Sequence, residues 1–140
     1  MPSACKGRLR NPLDCPRYLI SVLLAAQVTA AALGPAPARA DDATRGGELF
    51  QQCSACHSNE AGVNKLGPSL FGIVGRKAGT EPGFSYSDVM VRLDRVWTKA
   101  ALDAYLAEPS ANVPGTKMVF AGIKDPAQRA DLIAYLATLQ

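Results

Sequence analysis

Two stretches in the last third of the chain repeat apolar residues at the spacing of an amphipathic helix. The segment TKAALDAYLAE begins with Thr98, a good helix N-cap, and ends just before Pro109, which a helix does not readily continue through. The last segment has Asp125 at an N-cap position and Pro126 at the first helical position. Its apolar side chains recur on one face, at Ile133, Leu136 and Leu139. This pattern predicts two C-terminal helices.

The preceding part of the chain predicts shorter helices separated by a long loop. Residues 44–56 have a helical pattern, with Asp41, Asp42 and Thr44 as possible caps, and a short helix is expected after Ser87. Residues 58–86 hold six of the twelve glycines and two prolines, with no long periodic run, which predicts a loop. Because no segment alternates apolar and polar residues as a strand does, the expected fold class is all-α.

The first forty residues have the pattern of an export signal. Residues 1–17 are basic, and the apolar run YLISVLLAAQVTAAALG that follows is short and interrupted for a bilayer span. Ala38 and Ala40 then form an A-x-A cleavage site. We therefore expect a cleavable signal peptide over residues 1–40, a domain over residues 41–140 and a periplasmic location. An uncleaved N-terminal membrane anchor is the alternative.

Removing the signal changes the charge of the protein. The full chain has a formal net charge of +3, but residues 41–140 hold ten basic and eleven acidic side chains, a net charge of −1. The basic character of the full chain therefore belongs to the signal. We expect no nucleic-acid binding, because that function needs a cationic surface on the mature domain.

The segment QQCSACHSNE carries the remaining cysteines, Cys53 and Cys56, followed by the single histidine, His57. A disulfide between residues three apart would close a very small loop and stabilise little. A redox-active pair needs a thioredoxin-like βαβ context, and structural zinc needs a fourth ligand. Covalent attachment of haem c uses all three groups, because two thiols bind the vinyl groups while the histidine binds iron. A single haem c is the favoured interpretation.

Either of two methionines offers a second axial ligand for the iron. Met118 follows Pro114 and Gly115 in a stiff loop that suits a weak ligand, whereas Met90 lies in a short helical pattern typical of core methionines. Met118 is favoured over Met90. Ligation by His57 and a thioether would keep the iron six-coordinate and favour Fe(II).

The motifs CSACH, GPSLFGIVGRKAG, PGFSYSDVM, YLAEP, PGTKMVFAGIK and RADLIAYLATL follow one another in the order and spacing of a known family. Over residues 44–140 the chain resembles class I cytochrome c, nearest the mitochondrial type and its soluble periplasmic bacterial relatives. The resemblance implies a small all-α domain wrapped around one haem. It also implies that the terminal helices cross, with Gly46 and Phe50 against Leu132 and Tyr135.

The resemblance implies roles for individual residues. The carbonyl of Pro68 would accept a hydrogen bond from His57, and the Tyr105 hydroxyl would contact the sulfur of Met118. Four further side chains would bind or neutralise the haem propionates, which are costly to bury alone: Arg76, Tyr86, Trp97 and Thr116. The family's usual asparagine is replaced by Met90, so we expect a drier pocket and a higher potential than in a Met90→Asn variant.

The resemblance also implies a docking surface around the exposed haem edge. Lys65, Lys117 and Lys124 match the family's lysine ring, whereas Gln52 and Ser110 stand where lysine is common. We therefore expect electrostatic steering of redox partners that is present but weakened. Scattered charge without a functional patch is the alternative.

Together these observations predict a monomeric, periplasmic, single-haem electron carrier and no enzymatic activity. Its transient partners would be a membrane-bound reductase of the cytochrome bc type and a terminal oxidase or photosynthetic reaction centre. The alternatives are a haem enzyme or gas sensor, and a permanently bound subunit of a larger enzyme. The first needs an open axial position and a distal polar group, for which the chain has no second histidine.

Overall fold

The computed structural model describes residues 40–140 of the chain. The predicted signal peptide, apart from Ala40, lies outside these described residues, so its cleavage stays a prediction. Among residues 40–140, no helix combines the length and the apolar character needed to span a membrane.

Helices and loops make up the described part of the chain, as the hydrophobic pattern predicts. The helices are α1 (Ala43–Leu49), α2 (Gln51–Ser54), α3 (Asp88–Val91), α4 (Lys99–Ala107), α5 (Pro109–Asn112) and α6 (Pro126–Leu136). Extended pairing within residues 40–140 is limited to an isolated bridge between Lys77 and Val96. The all-α fold class is therefore confirmed.

Three predicted caps are made by the residues that the sequence indicated. The carboxylate of Asp42 accepts from the backbone N–H of Thr44, the Thr98 hydroxyl caps α4, and the Asp125 carboxylate caps α6. Ser87 precedes α3 with extended backbone, but its side chain makes no capping hydrogen bond. Pro109 was expected only to end a helix. It also begins α5, because proline suits the first helical position, where its missing N–H is not needed.

The terminal helices α1 and α6 cross at very short range. A Cβ built on Gly46 would lie 2.0 Å from the carbonyl oxygen of Asp131 and 2.7 Å from the Cβ of Tyr135. The Phe50 and Tyr135 rings pack with centroids 5.4 Å apart, and Leu132 is fully buried. The crossing implied by the resemblance is confirmed, and it depends on the missing side chain of Gly46.

Long loops complete the core by bonding to the helices through backbone groups. Gly72 donates to the carbonyl of Leu139 at 2.6 Å, which ties the loop before α3 to the chain's C-terminal end. Ile123 donates to the carbonyl of Leu106 at 2.8 Å, which ties the loop before α6 to α4. Gly122 permits this second contact, because a Cβ there would lie 2.2 Å from the Ala107 carbonyl oxygen.

Candidate haem site

One turn of backbone at the end of α2 brings together both cysteines and the histidine. The N–H groups of Cys56 and His57 both donate to the carbonyl of Cys53, at 3.0 and 2.8 Å. Both thiols are free, with Cys53 half-buried and Cys56 exposed. Burial, reinforced by the nearby Cys56, raises the pKa of the Cys53 thiol. The turn therefore presents two unpaired thiols beside one imidazole.

The loop after this turn fixes the orientation of His57. Its Nδ1 lies 2.7 Å from the carbonyl oxygen of Pro68, an acceptor that places the proton on Nδ1 and leaves Nε2 for a metal. Burial lowers the pKa of His57, and the charge of Lys65 adds to this, although the Pro68 carbonyl opposes it. Gly67 leaves room for the ring, since a Cβ there would lie 2.4 Å from its Cε1 atom. The geometry favours a neutral, metal-binding imidazole.

Met118 is half-buried and held by two polar neighbours. The Tyr105 hydroxyl lies 3.9 Å from the Sδ atom, within the longer range of hydrogen bonds to sulfur. The same hydroxyl is 3.0 Å from Oγ1 of Thr116, and that oxygen accepts from the Met118 N–H at 3.3 Å. Burial raises the pKa of Tyr105, although the Thr116 bond opposes the shift. The phenol is therefore neutral and able to donate a hydrogen bond to the thioether.

Buried aromatic and thioether groups continue the core beside this loop. The Trp97 and Tyr105 rings pack with centroids 4.9 Å apart, and the Arg95 guanidinium lies 5.8 Å from the centroid of the Trp97 ring. Met90 is also buried and belongs to the same hydrophobic core. Its burial agrees with the interpretation of Met90 as a core methionine.

Arg76 lies in a largely buried polar cluster. Its guanidinium donates to the carbonyls of Ser69 at 2.6 Å and Phe71 at 3.2 Å, and it forms an ion pair with Glu81. The backbone N–H of Glu81 lies 3.4 Å from the Tyr86 hydroxyl. Burial raises the pKa of Tyr86. Two of the residues that the resemblance assigned to the propionates therefore meet around Glu81, which the sequence analysis missed.

The three lysines of the expected docking surface are exposed, and each bonds to a backbone carbonyl. Lys65 donates to Ser54 at 2.8 Å, Lys117 to Tyr86 at 3.3 Å and Lys124 to Ala107 at 3.1 Å. These contacts join Lys65 to the cysteine turn and Lys117 to the cluster around Glu81.

Lys124 has a closer electrostatic partner than the other two lysines. Its Nζ atom lies 2.8 Å from Oε1 of Glu108, and this contact lowers the pKa of that carboxyl group. Gln52 and Ser110, which stand where the family commonly has lysine, are both exposed. Three of the five positions of the expected lysine ring therefore lack an unpaired lysine: Gln52, Ser110 and Lys124.

Comparisons of the sequence and of the structure with known proteins point to the same family. Residues 43–140 match the family described as Cytochrome c. Cytochrome c2 of Blastochloris viridis is 48% identical over 102 residues, covering 72% of this chain and 80% of the relative. Cytochrome c2 iso-2 of Magnetospirillum fulvum is 53% identical over 90 residues, covering 64% and 94%. The solved structure of cytochrome cH from Methylobacterium extorquens superposes with a TM-score of 0.66 at 47% identity, covering 69% of this chain and 98% of that one.

The chain belongs to the cytochrome c family. It is therefore an electron-transfer protein that carries one covalent haem c, and it is not an enzyme. The residues present fit this group, because free thiols, an oriented imidazole and a half-buried thioether are the donors that haem c uses. The zinc, redox-disulfide and haem-enzyme interpretations are thereby set aside.

Proposed function

We propose that this cytochrome c domain is a periplasmic carrier between a membrane-bound reductase of the cytochrome bc type and a terminal oxidase or photosynthetic reaction centre. The observation that carries the proposal is the turn Cys53–His57, in which two free thiols precede an imidazole whose Nδ1 is engaged by Pro68. Similarity to cytochromes c2 of two bacteria supports the assignment.

The residues proposed to bind the haem lie in two places, the cysteine turn and the loop that contains Met118. Cys53 and Cys56 would form the thioether links to the haem, and His57 and Met118 would bind its iron. When bound, haem supplies a one-electron Fe(III)/Fe(II) couple. The Pro68 carbonyl holds the imidazole, while Tyr105 positions the sulfur.

The polar groups beyond the ligands have a different task, which is to accommodate the propionates. Arg76 offers a largely buried guanidinium, and Tyr86, Trp97 and Thr116 offer further hydrogen-bond donors. These groups lower the cost of burying carboxylates that would otherwise lose their hydration.

The remaining parts of the proposal concern partners and location. Lys65, Lys117 and Lys124 form the docking surface, and the domain acts as a monomer that binds its partners transiently. Residues 1–40 are an export signal removed after Ala40, which leaves a soluble domain of residues 41–140. The A-x-A site and the short apolar run support cleavage over retention as an anchor.

Purified protein from an exporting host tests these assignments. We expect the intact mass of residues 41–140 plus one haem, and a ferric spectrum with the methionine-to-iron charge-transfer band. Met118→Leu should abolish that band and allow rapid cyanide binding, whereas the matched variant Met90→Leu should keep the band and bind cyanide slowly. Loss of the band in Met90→Leu alone would reverse the ligand assignment, and an uncleaved mass would favour the anchor.

A further inference from the structure

Two acidic side chains are buried in the described part of the chain, and they differ in their surroundings. Asp131 lies at the crossing of α1 and α6, where it pairs with Arg45 and accepts from the Asp42 N–H at 2.7 Å. Glu81 lies in the long glycine-rich loop, with its side chain only 6% exposed. A carboxylate is rarely buried without a reason, because it loses its hydration. The contacts of Asp131 hold the helix crossing together, which accounts for its burial. The burial of Glu81 requires a separate explanation.

The partner of Glu81 is the cation that the proposed function assigns to the propionates. Arg76 is 16% exposed, and its charge is already balanced by Glu81. The same guanidinium also donates to the carbonyls of Ser69 and Phe71, which are neutral. On the proposed function, Arg76 would also face the haem propionates. Glu81 and the propionates would then share this largely buried guanidinium, and Glu81 adds a fixed negative charge to the group.

Two further arginines of the described residues have contacts of their own. Arg95 is half-buried, donates to Oδ1 of Asn112 and lies over the Trp97 ring, so its charge is not paired with Glu81. Arg129 has a side chain only 11% exposed, but it pairs with Asp103 and donates to the carbonyls of Ile123 and Lys124. These contacts join α6 to α4 and to the loop before α6. Lys117, which donates to the Tyr86 carbonyl, is exposed and therefore better screened by solvent and salt.

We propose that Glu81 is a potential-setting residue: a buried negative charge that positions the Arg76 guanidinium and lowers the haem potential. This inference rests on the proposed function, because it takes Arg76 as the cation of the propionate region. The sign follows from charge alone. A nearby carboxylate stabilises the more positive Fe(III) form, which makes reduction less favourable, and its effect is strong where the dielectric is low. Glu81 thus opposes the tendency of a thioether ligand to favour Fe(II).

Voltammetry of the purified holoprotein tests the proposal with three variants. Glu81→Gln keeps the shape and removes the charge, so the potential should rise. Glu81→Asp keeps the charge and should stay closer to the wild-type potential than Glu81→Gln does. The matched control is Glu108→Gln, which removes the same charge from an exposed ion pair with Lys124. The rise in Glu81→Gln should persist at high salt, whereas any change in Glu108→Gln should disappear there.

A potential that is unchanged or lower in Glu81→Gln, with the methionine-to-iron band intact, would overturn the inference and leave the proposed function standing. Absence of that band from the wild-type protein would instead overturn the proposed function. Should Glu81→Gln fail to hold haem, the comparison is repeated in the Arg76→Gln background, where no guanidinium is left unpaired. There the double variant must have a higher potential than Arg76→Gln alone, and an equal or lower value contradicts the proposal.

Discussion

The crossing of α1 and α6 and the region around the cysteine turn are stabilised in different ways. At the crossing, apolar side chains and one close backbone contact are supplied by the chain itself, at Gly46, Phe50 and Leu132. Around the turn, irregular loops surround His57 and Met118, and their backbone bonds run mainly to other loops or to helix ends. Contacts within the chain hold the crossing, whereas the turn and the loops carry the groups that would hold the haem.

The difference leads us to expect that a domain of about a hundred residues needs the cofactor to fold. Ordering each residue costs about 1–2 kcal/mol of backbone entropy, and a small domain buries a limited apolar area. The loops around His57 and Met118 contain many ordered residues and few helices. We therefore expect their side chains to offset the entropy cost of ordering the backbone less well than those at the helix crossing do. We expect the haem to supply the missing apolar surface there.

Loss of covalent attachment should have the largest effect. In Cys53→Ala/Cys56→Ala no thioether can form, and we expect the domain to lose most of its helical circular dichroism because the loop region lacks a core. Met118→Leu is the control, since it keeps both thioether links and should keep the helices. Full native helix in the cysteine variant without bound haem would show that the loop region folds by itself.

A side chain at Gly46 should destabilise the helix crossing without changing the residues proposed to bind haem. Gly46→Ala places a methyl group 2.0 Å from the Asp131 carbonyl oxygen, so the helices must move apart, at a cost of about 3 kcal/mol. Gly47→Ala is the matched control, because its Cβ meets only the Tyr135 ring at 3.5 Å, an ordinary contact. The stability of Gly47→Ala should be unchanged or higher than that of the wild-type protein, since alanine favours a helix more than glycine does.

Denaturant unfolding of both glycine variants measures the difference. The absorption spectrum should be unchanged in Gly46→Ala under native conditions, because the ligands lie in the other region. Equal stabilities of Gly46→Ala and Gly47→Ala would contradict the close crossing.

Crowding the histidine should produce a smaller loss of stability and a clear spectral change. In Gly67→Ala the new Cβ would lie 2.4 Å from Cε1 of His57, so the ring must turn away from Pro68, at a cost of about 2 kcal/mol. Gly62→Ala is the control: its surroundings are open, but its φ of +70° makes alanine cost about 1 kcal/mol. Ferric spin state should change in Gly67→Ala alone, and a change in both variants would contradict the contact.

Sequence pattern could predict the features that depend on local chemistry. The caps at Asp42, Thr98 and Asp125 follow from residue type, and the helices after Thr98 and Asp125 follow from their apolar spacing. The cysteine turn is likewise local, because its three groups lie within five residues. The close approach at Gly46 came from the family resemblance and is visible in the structure as a contact that a Cβ would prevent.

Features that depend on loop geometry or on tertiary contacts could not be predicted in the same way. Glu81 is only five residues from Arg76, but their ion pair depends on the turns of an irregular loop, which residue type and spacing do not indicate. Asp131 lies in a helix whose pattern says little about its ion pair with Arg45. Helix α5 has only four residues, too few for a periodic signal. Such features depend on loop geometry and on tertiary contacts, which hydrophobic spacing does not encode.

Removing a single hydroxyl gives the smallest expected effect and the most direct comparison of the two regions. Tyr105→Phe loses the bond to Thr116 and the contact with the Met118 sulfur, at a cost of about 1 kcal/mol of unfolding free energy. The potential should also fall, because a proton donor at the thioether reduces its electron donation and thereby favours Fe(II).

Tyr135→Phe is the matched control at the helix crossing, where the hydroxyl accepts from the Asn59 side chain at 2.9 Å. It should lose a similar or smaller amount of stability, because this bond is more exposed, and it should leave the potential unchanged. Denaturant unfolding and voltammetry on the same two samples separate stability from redox tuning. A potential that falls equally in both variants would mean that the hydroxyl acts through the stability of the whole domain, and that the Tyr105 contact with Met118 does not tune the iron.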